Sequence, residues 1–185
     1  MRKVTLGVAT SLDNFIARKN DAVDWLQSGK EAAPVMEKFW KGIDTIMMGR
    51  KTYEIAVKLG MVADPGVKNY VCSRTLNEST VEGVTIVPDD AARFVRKLKR
   101  EPGKGICVMG GGVLAQSLLK ADVVDEISLN IHPVLLGEGI PLFLPRTRQL
   151  DLKLLDCQTF KNGCVLVTYQ VKHQAVKARA GKRGR

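Results

Sequence analysis

Residues suited to metal binding are scarce in this sequence. There are two histidines, His132 and His173, and four cysteines, Cys72, Cys107, Cys157 and Cys164, with no C-x-x-C pair and no histidine close by in the chain. That pattern argues against a metal site. No apolar run approaches the roughly 18 residues that span a bilayer. The opening MRKVTLGVATSLD runs straight into a strand-like pattern without a signal-peptide cleavage site, so a soluble, cytoplasmic protein is expected. Aromatic residues make up only 5% of the chain, and no groove-reading pattern accompanies its net charge of +10. Six of the basic residues, Lys172, Lys177, Arg179, Lys182, Arg183 and Arg185, fall in the last fourteen positions with no acid among them. Residues 173–185 therefore read as a solvated basic tail, with a nucleic-acid or acidic-partner tether as the lesser alternative.

The remainder has the length and composition of one domain with a substantial core, expected over residues 1–172. Val4 to Ala9 is almost continuously apolar, as in a central strand covered on both faces. A polar stretch from Thr10 to Lys30 follows, too long for an idle connection. Pro34 opens a short helix with an apolar stripe of Val35, Met36, Phe39 and Trp40. Short strands are expected at 45–48, 70–73, 84–87, 106–109 and 126–131. Helices are expected after Gly49, from Ala91 to Arg100 with Asp89 and Asp90 as caps, and from Val113 to Lys120. Such alternation predicts a mostly parallel sheet with right-handed crossovers. Asn162-Gly163, between 152–160 and 164–172, predicts a two-residue hairpin turn and an antiparallel edge. That register sets Cys157 opposite Thr168, away from Cys164, and the thiols read as reduced.

Ligands of an open parallel sheet gather at the carboxyl ends of its strands. Three such ends carry suitable residues. Gly110-Gly111-Gly112 admits close backbone approach, and the helix at Val113 offers free N–H groups to a phosphate, although tight packing explains a glycine turn equally well. Gly49-Arg50-Lys51-Thr52 sets two cations against a helix dipole, a conflict that an anion would relieve. Ser73-Arg74 pairs a hydroxyl with a guanidinium suited to a ribose phosphate.

In order, 10-TSLDNFIA-17, 44-DTIMMGRKTYE-54, 71-VCSR-74, 108-VMGGG-112, 124-VDEI-127 and 132-HPVLLGEGIPLF-143 resemble the dihydrofolate reductase superfamily. The resemblance is to stand-alone proteins grouped with the reductase domain of bacterial riboflavin biosynthesis, and it spans residues 3 to about 171. It implies a three-layer α/β fold with an antiparallel C-terminal hairpin, NADPH as cofactor, hydride transfer to a small organic substrate, and a homodimer. The apolar segment 132–143 and the edge hairpin also fit a dimer. By resemblance Ala9 and Ile16 line the nicotinamide pocket. Gly49, Arg50, Lys51 and Thr52, with Gly110, Gly111, Gly112, Val113 and Leu114, hold the pyrophosphate, and Ser73 and Arg74 meet the 2′-phosphate. Residues 13–25 would form a lid.

Towards the substrate the expected residues are Trp25, Phe39 and Glu138, with Trp25 equally readable as packing. Asp13, at the mouth of the first strand, is the first choice as proton donor among Asp13, Asp24, Glu37 and Glu138. His132 reads as packed and structural. The segment Glu31 to Glu37 has no acid in the register that dihydrofolate reductases use, and Gly7-Val8-Ala9 stands where riboflavin-pathway reductases carry a lysine. The substrate therefore stays open: a pterin-like heterocycle, a carbonyl or an imine compound. The rival reading is a catalytically idle NADP-binding sensor.

Overall fold

A computed structural model describes residues 1–27, 29–61, 66–88, 90–145 and 149–173. Asp89, one of the two expected caps, and all of the tail beyond His173 lie outside them. In chain order come β1 (Val4–Ser11), β2 (Phe15–Ala17), α1 (Ala33–Lys41), β3 (Ile43–Gly49), α2 (Arg50–Lys58), β4 (Lys68–Cys72) and β5 (Val84–Val87). Then follow α3 (Ala91–Arg100), β6 (Gly105–Met109), α4 (Gly112–Lys120), β7 (Glu126–His132), β8 (Ile140–Pro141), β9 (Leu152–Thr159) and β10 (Val165–Val171). Eight strands form one sheet in the order β5-β4-β3-β6-β1-β7-β10-β9. The first six run parallel, and β10 and β9 close the edge antiparallel. The expected α/β class and central β1 are what the chain adopts.

Period-two alternation divides the sheet between two helical layers. Val4, Leu6 and Val8 of β1 face α3 and α4, whose Ala92, Val95, Leu98, Leu114, Ala115, Leu118 and Leu119 form the apolar stripes of the main core. Each fully buried leucine there contributes about 2 kcal/mol relative to exposure. Met48 and Val71 face the other way, onto Tyr53 of α2. Gly7 shares that second face, and the Phe39 ring of α1 lies over it, 3.5 Å from where a Cβ would stand. α1 buries no residue fully, because its stripe covers the sheet only in part. No helix among the described residues is long and apolar enough to cross a membrane.

Buried charges tie the strands together at the amino end of the sheet. The Arg2 guanidinium pairs with Asp44 and donates to the Lys104 carbonyl at 2.7 Å and to Thr45 Oγ1 at 2.6 Å. Lys99 Nζ lies 2.6 Å from Asp125 Oδ2, which also accepts the Val4 N–H at 2.8 Å. Removing either carboxylate strands a buried cation away from water, so these pairs hold β1, β3 and β7 in position. His173, read as the first tail residue, lies 3.1 Å from Asp122 and packs back onto the domain.

The expected hairpin turn needs correction. Phe160 pairs with Cys164 around three residues, Lys161 to Gly163, and Gly163 takes φ 82°. The extra residue moves the register by one, so Cys157 faces Val167 and Thr168 faces Asp156. A three-residue loop with a left-handed glycine at its end is the next hairpin solution after the two-residue turn. The sequence pattern also missed the ribbon formed by β2 and β8, which is too short to show a period.

α4 begins at Gly112, where a Cβ would stand 2.4 Å from the Pro141 carbonyl oxygen. Backbone cannot yield there as a side chain would. Gly112→Ala should destabilise the protein by about 2 kcal/mol or more in urea unfolding, whereas Gly49→Ala, with nothing within 4 Å of its Cβ, should leave the midpoint near wild type.

Candidate active site

A cleft of about 960 Å³ opens at the carboxyl end of the parallel strands. Its floor follows from strand order. β3 and β6 are neighbours; β3 runs directly into α2, and β6 passes through Gly110 and Gly111 into α4. Gly49 is the N-cap of α2 and Gly111 that of α4, and neither supplies a capping side chain. The first-turn N–H groups of both helices thus lack intrahelical acceptors and add two positive dipole ends to one cleft. α3 shows the alternative, since its Asp90 side chain accepts from the Ala92 and Arg93 N–H groups.

Glycine has distinct roles at these two starts. Gly110 and Gly111 take φ 57° and 80°, and a Cβ on Gly110 would come within 2.9 Å of Thr52 Oγ1, so the turn into α4 presses against the start of α2. Gly49 has ordinary φ, and what its missing side chain leaves is open space.

Side chains around this floor are basic. Arg50, Lys51 and Thr52 line the cleft, as do Gly110, Gly111, Gly112, Val113 and Leu114. Lys51 Nζ reaches 2.7 Å to Asp21 Oδ2 in the segment between β2 and α1, and that hydrogen bond raises its pKa. Arg50 lies 3.5 Å from Glu54 one turn on. Ser73 and Arg74 wall the cleft beyond β4, and the Ser73 N–H donates to the Val87 carbonyl at 3.1 Å, which sets them beside Pro88 and Asp90. Ser73 Oγ accepts from the N–H groups of Thr75 and Leu76, leaving its O–H to donate. The Arg74 guanidinium is exposed and unpaired among the described residues.

The opposite end of the cleft is apolar, formed by Val8, Ala9, Ile16, Val23, Leu26 and Ile140. All thirteen residues expected at a dinucleotide thus border one cavity. Asp21 and Val23, from the segment expected as a lid, border it too, and so do Leu26, Cys72, Asp90 and Ile140, which were not foreseen. Folding brings those four in from loops and strand ends that carry no motif. The ion pair between Asp21 and Lys51, thirty residues apart, left no sequence signal.

Four expected residues lie outside the lining. Asp13, the first choice as proton donor, is hydrogen-bonded in this structure: its carboxylate accepts from Ser11 Oγ at 2.6 Å and from the Leu136 and Gly137 N–H groups at 3.1 and 2.7 Å. The Ser11 bond, with the two backbone bonds, holds it below the usual carboxylate range, and it fastens the 134–138 loop to β1. Glu138 pairs with Lys19 on the surface. Phe39 covers Gly7 from α1, and Trp25 packs edge-on against His132. His132 is buried and hydrogen-bonded, in keeping with the structural reading. Thiol chemistry finds no support: burial pushes Cys72 and Cys107 up to about 12.

The chain matches the family of the RibD C-terminal domain over residues 2–166. It is 36% identical to the protein YyaP of Bacillus subtilis (strain 168) over 180 residues, 91% of this chain and 94% of that one. A solved structure from Shewanella sp. PV-4, named for riboflavin biosynthesis, superposes with TM-score 0.77 at 26% identity, covering 94% of this chain and 100% of that chain. A diaminohydroxyphosphoribosylaminopyrimidine deaminase/5-amino-6-(5-phosphoribosylamino)uracil reductase of Thermotoga maritima shares the fold, with TM-score 0.69 at 15% identity, over 92% of this chain and 57% of that one.

Thiols with pKa about 12 are almost wholly protonated at pH 8. Brief iodoacetamide treatment of the native protein at that pH should label the exposed Cys157 and leave Cys72 and Cys107 unmodified in the mass spectrum.

Proposed function

Because the chain belongs to the RibD C-terminal domain family, we propose that it is an NADPH-dependent reductase of a small organic molecule: a pterin- or pyrimidine-like heterocycle, a carbonyl or an imine compound. The observation that carries this reading is the convergence of two uncapped helix starts and an unpaired arginine on one cleft. The residues fit the cofactor. The open space at Gly49 and the left-handed Gly110 and Gly111 let backbone N–H groups approach a pyrophosphate without interference from a side chain. Arg74 and the Ser73 hydroxyl would take the 2′-phosphate, and the apolar end would exclude water from the nicotinamide.

When bound, the cofactor supplies a hydride to an electrophilic carbon of the substrate. This chain's task is to position, and the segment from Arg18 to Leu26, held across the cleft by Asp21 and Lys51, acts as the lid. With Asp13 committed to the 134–138 loop, the heteroatom beside the reduced carbon takes its proton from water rather than from that carboxyl. A homodimer belongs to the same reading, and the edge strand β9 exposes Leu152, Leu154 and Leu155 as a surface for a second copy. Among the described residues no carboxyl joins Val8, Ala9, Ile16, Val23, Leu26 and Ile140 at the apolar end, which favours, as a second reading, a binding protein that turns over slowly or not at all.

Calorimetric titration with NADPH and NADH tests the assignment. Wild type should prefer NADPH, and Arg74→Ala should lose roughly tenfold or more of that preference, since a charge-assisted bond of about 1.5–3 kcal/mol is removed. Equal affinities in wild type would refute the role given to Ser73 and Arg74. NADPH oxidation over a panel of pterins, quinones and carbonyl compounds separates an enzyme from an idle binder.

A further inference from the structure

Among the described residues the cleft has two carboxylates in its lining, Asp21 and Asp90. Asp90 is committed to the fold, because its side chain caps α3 through the Ala92 and Arg93 N–H groups. Asp21 belongs to no helix or strand. Its Oδ2 meets Lys51 Nζ at 2.7 Å, and the two side chains stay 35% and 62% exposed. A free-standing carboxylate inside a cavity built for anions calls for an explanation.

The backbone shows how it is held there. The Asp21 N–H donates to the Arg18 carbonyl at 3.0 Å and the Arg18 N–H to the Ala22 carbonyl at 2.9 Å, which closes a tight turn. Asn20 Oδ1 braces that turn by accepting the Ala22 N–H at 3.2 Å. Within it Asp21 takes φ 64°, a left-handed conformation that, after glycine, aspartate and asparagine tolerate best. The segment is tied elsewhere at either end, Lys19 to Glu138 at 2.6 Å and the Gln27 N–H to His132 Nδ1 at 3.2 Å. Between those ties the turn reaches across the cleft and sets its carboxylate on the start of α2.

Charge accounts for the contact. The first turn of α2 carries Arg50 and Lys51 behind a glycine N-cap, and the turn into α4 presses against Thr52 beside them. Positive groups gathered in this way repel one another until an anion joins them. Arg50 has Glu54 at 3.5 Å, one turn on and outside the lining, whereas the carboxylate hydrogen-bonded to Lys51 comes from the far side of the cleft. Asp21 therefore engages the same ammonium that a phosphate at this helix start would use.

We propose that Asp21 is an internal competitor of the dinucleotide: it holds Lys51 in the free protein, yields it when the pyrophosphate enters, and so sets the affinity of the site. This rests on the reading of the cleft as a dinucleotide site and adds to it a residue that regulates entry. By linkage, the tie weakens anion binding by the factor by which a bound anion weakens the tie. Val23 and Leu26 belong to the same segment and line the apolar end, so arrival of the dinucleotide also frees the wall against which the second reactant must fit.

Calorimetric titration of the full chain with inorganic pyrophosphate and with NADPH, at one low ionic strength, tests the competition. Asp21→Asn removes the charge and keeps a residue suited to the left-handed turn. It should bind both ligands roughly two- to fivefold more tightly than wild type, the range that an exposed ion pair allows. Asp24→Asn frees Arg18 in the same segment without touching Lys51 and should bind as wild type does. Loss of any nearby anion favours another, and a double-mutant cycle isolates that general effect: in a Lys51→Met background, Asp21→Asn should bring no measurable gain. Unchanged or weaker binding by Asp21→Asn, an equal gain in Asp24→Asn, or an equal gain in the Lys51→Met background overturns the proposal. The two ligands keep the readings apart. Tighter pyrophosphate binding by Asp21→Asn with no NADPH binding in any variant would sink the reductase reading and leave the competition standing, whereas NADPH binding that Asp21→Asn does not alter sinks the competition alone.

Discussion

Two neighbouring parallel strands end side by side and pass without a capping side chain into two helices, and the site is built on that arrangement. Amide groups at a helix start need acceptors, and a soluble domain normally supplies them from its own sequence, as Asp90 does for α3. α2 and α4 instead begin at glycines and present their free N–H groups to the same cleft. The fold makes this convergence possible through the neighbouring positions of β3 and β6, two strands whose starts, Ile43 and Gly105, lie 62 positions apart. The core beneath needs no such exposure. Leu114, Ala115, Leu118 and Leu119 bury one side of α4 while its first turn faces ligand space.

Electrostatics reinforce that arrangement. Cations at a helix start oppose the dipole, yet Arg50 and Lys51 occupy the first turn of α2, where each finds only an exposed carboxylate. Such bonds are easily exchanged for a stronger anion. The Asp21 partner of Lys51 sits on the segment between β2 and α1, so a phosphate that draws Lys51 away also changes what holds that segment. Beyond it, Trp25 and Gln27 keep the far end of the segment seated on His132.

Much of the architecture is written in local pattern. The continuous apolar run of β1, the Pro34 start of α1, the Asp90 cap and the strand-to-helix turns each reflect short-range chemistry that a sequence displays. The failures have a common cause in distance or brevity. Asn162-Gly163 marks a hairpin but does not choose between two- and three-residue loops, and the register of Cys157 shifted accordingly. β2 and β8 are too short to show alternation. Asp13 looked catalytic from its place after β1, and only the approach of Leu136 and Gly137, more than 120 residues away, shows what it holds. Trp25 was readable as packing or as substrate contact, and it packs on His132, 107 positions along the chain, with its N–H unpaired among the described residues.

The central claim is that both helix starts serve one ligand. Backbone amide spectra of ¹⁵N-labelled protein titrated with NADPH test it most directly, because each N–H group reports its own new acceptor. The account requires the amides of Arg50, Lys51 and Thr52 and those of Gly112, Val113 and Leu114 to move together along one binding curve. Shifts confined to one helix, or changes elsewhere while both starts stay unchanged, would contradict it.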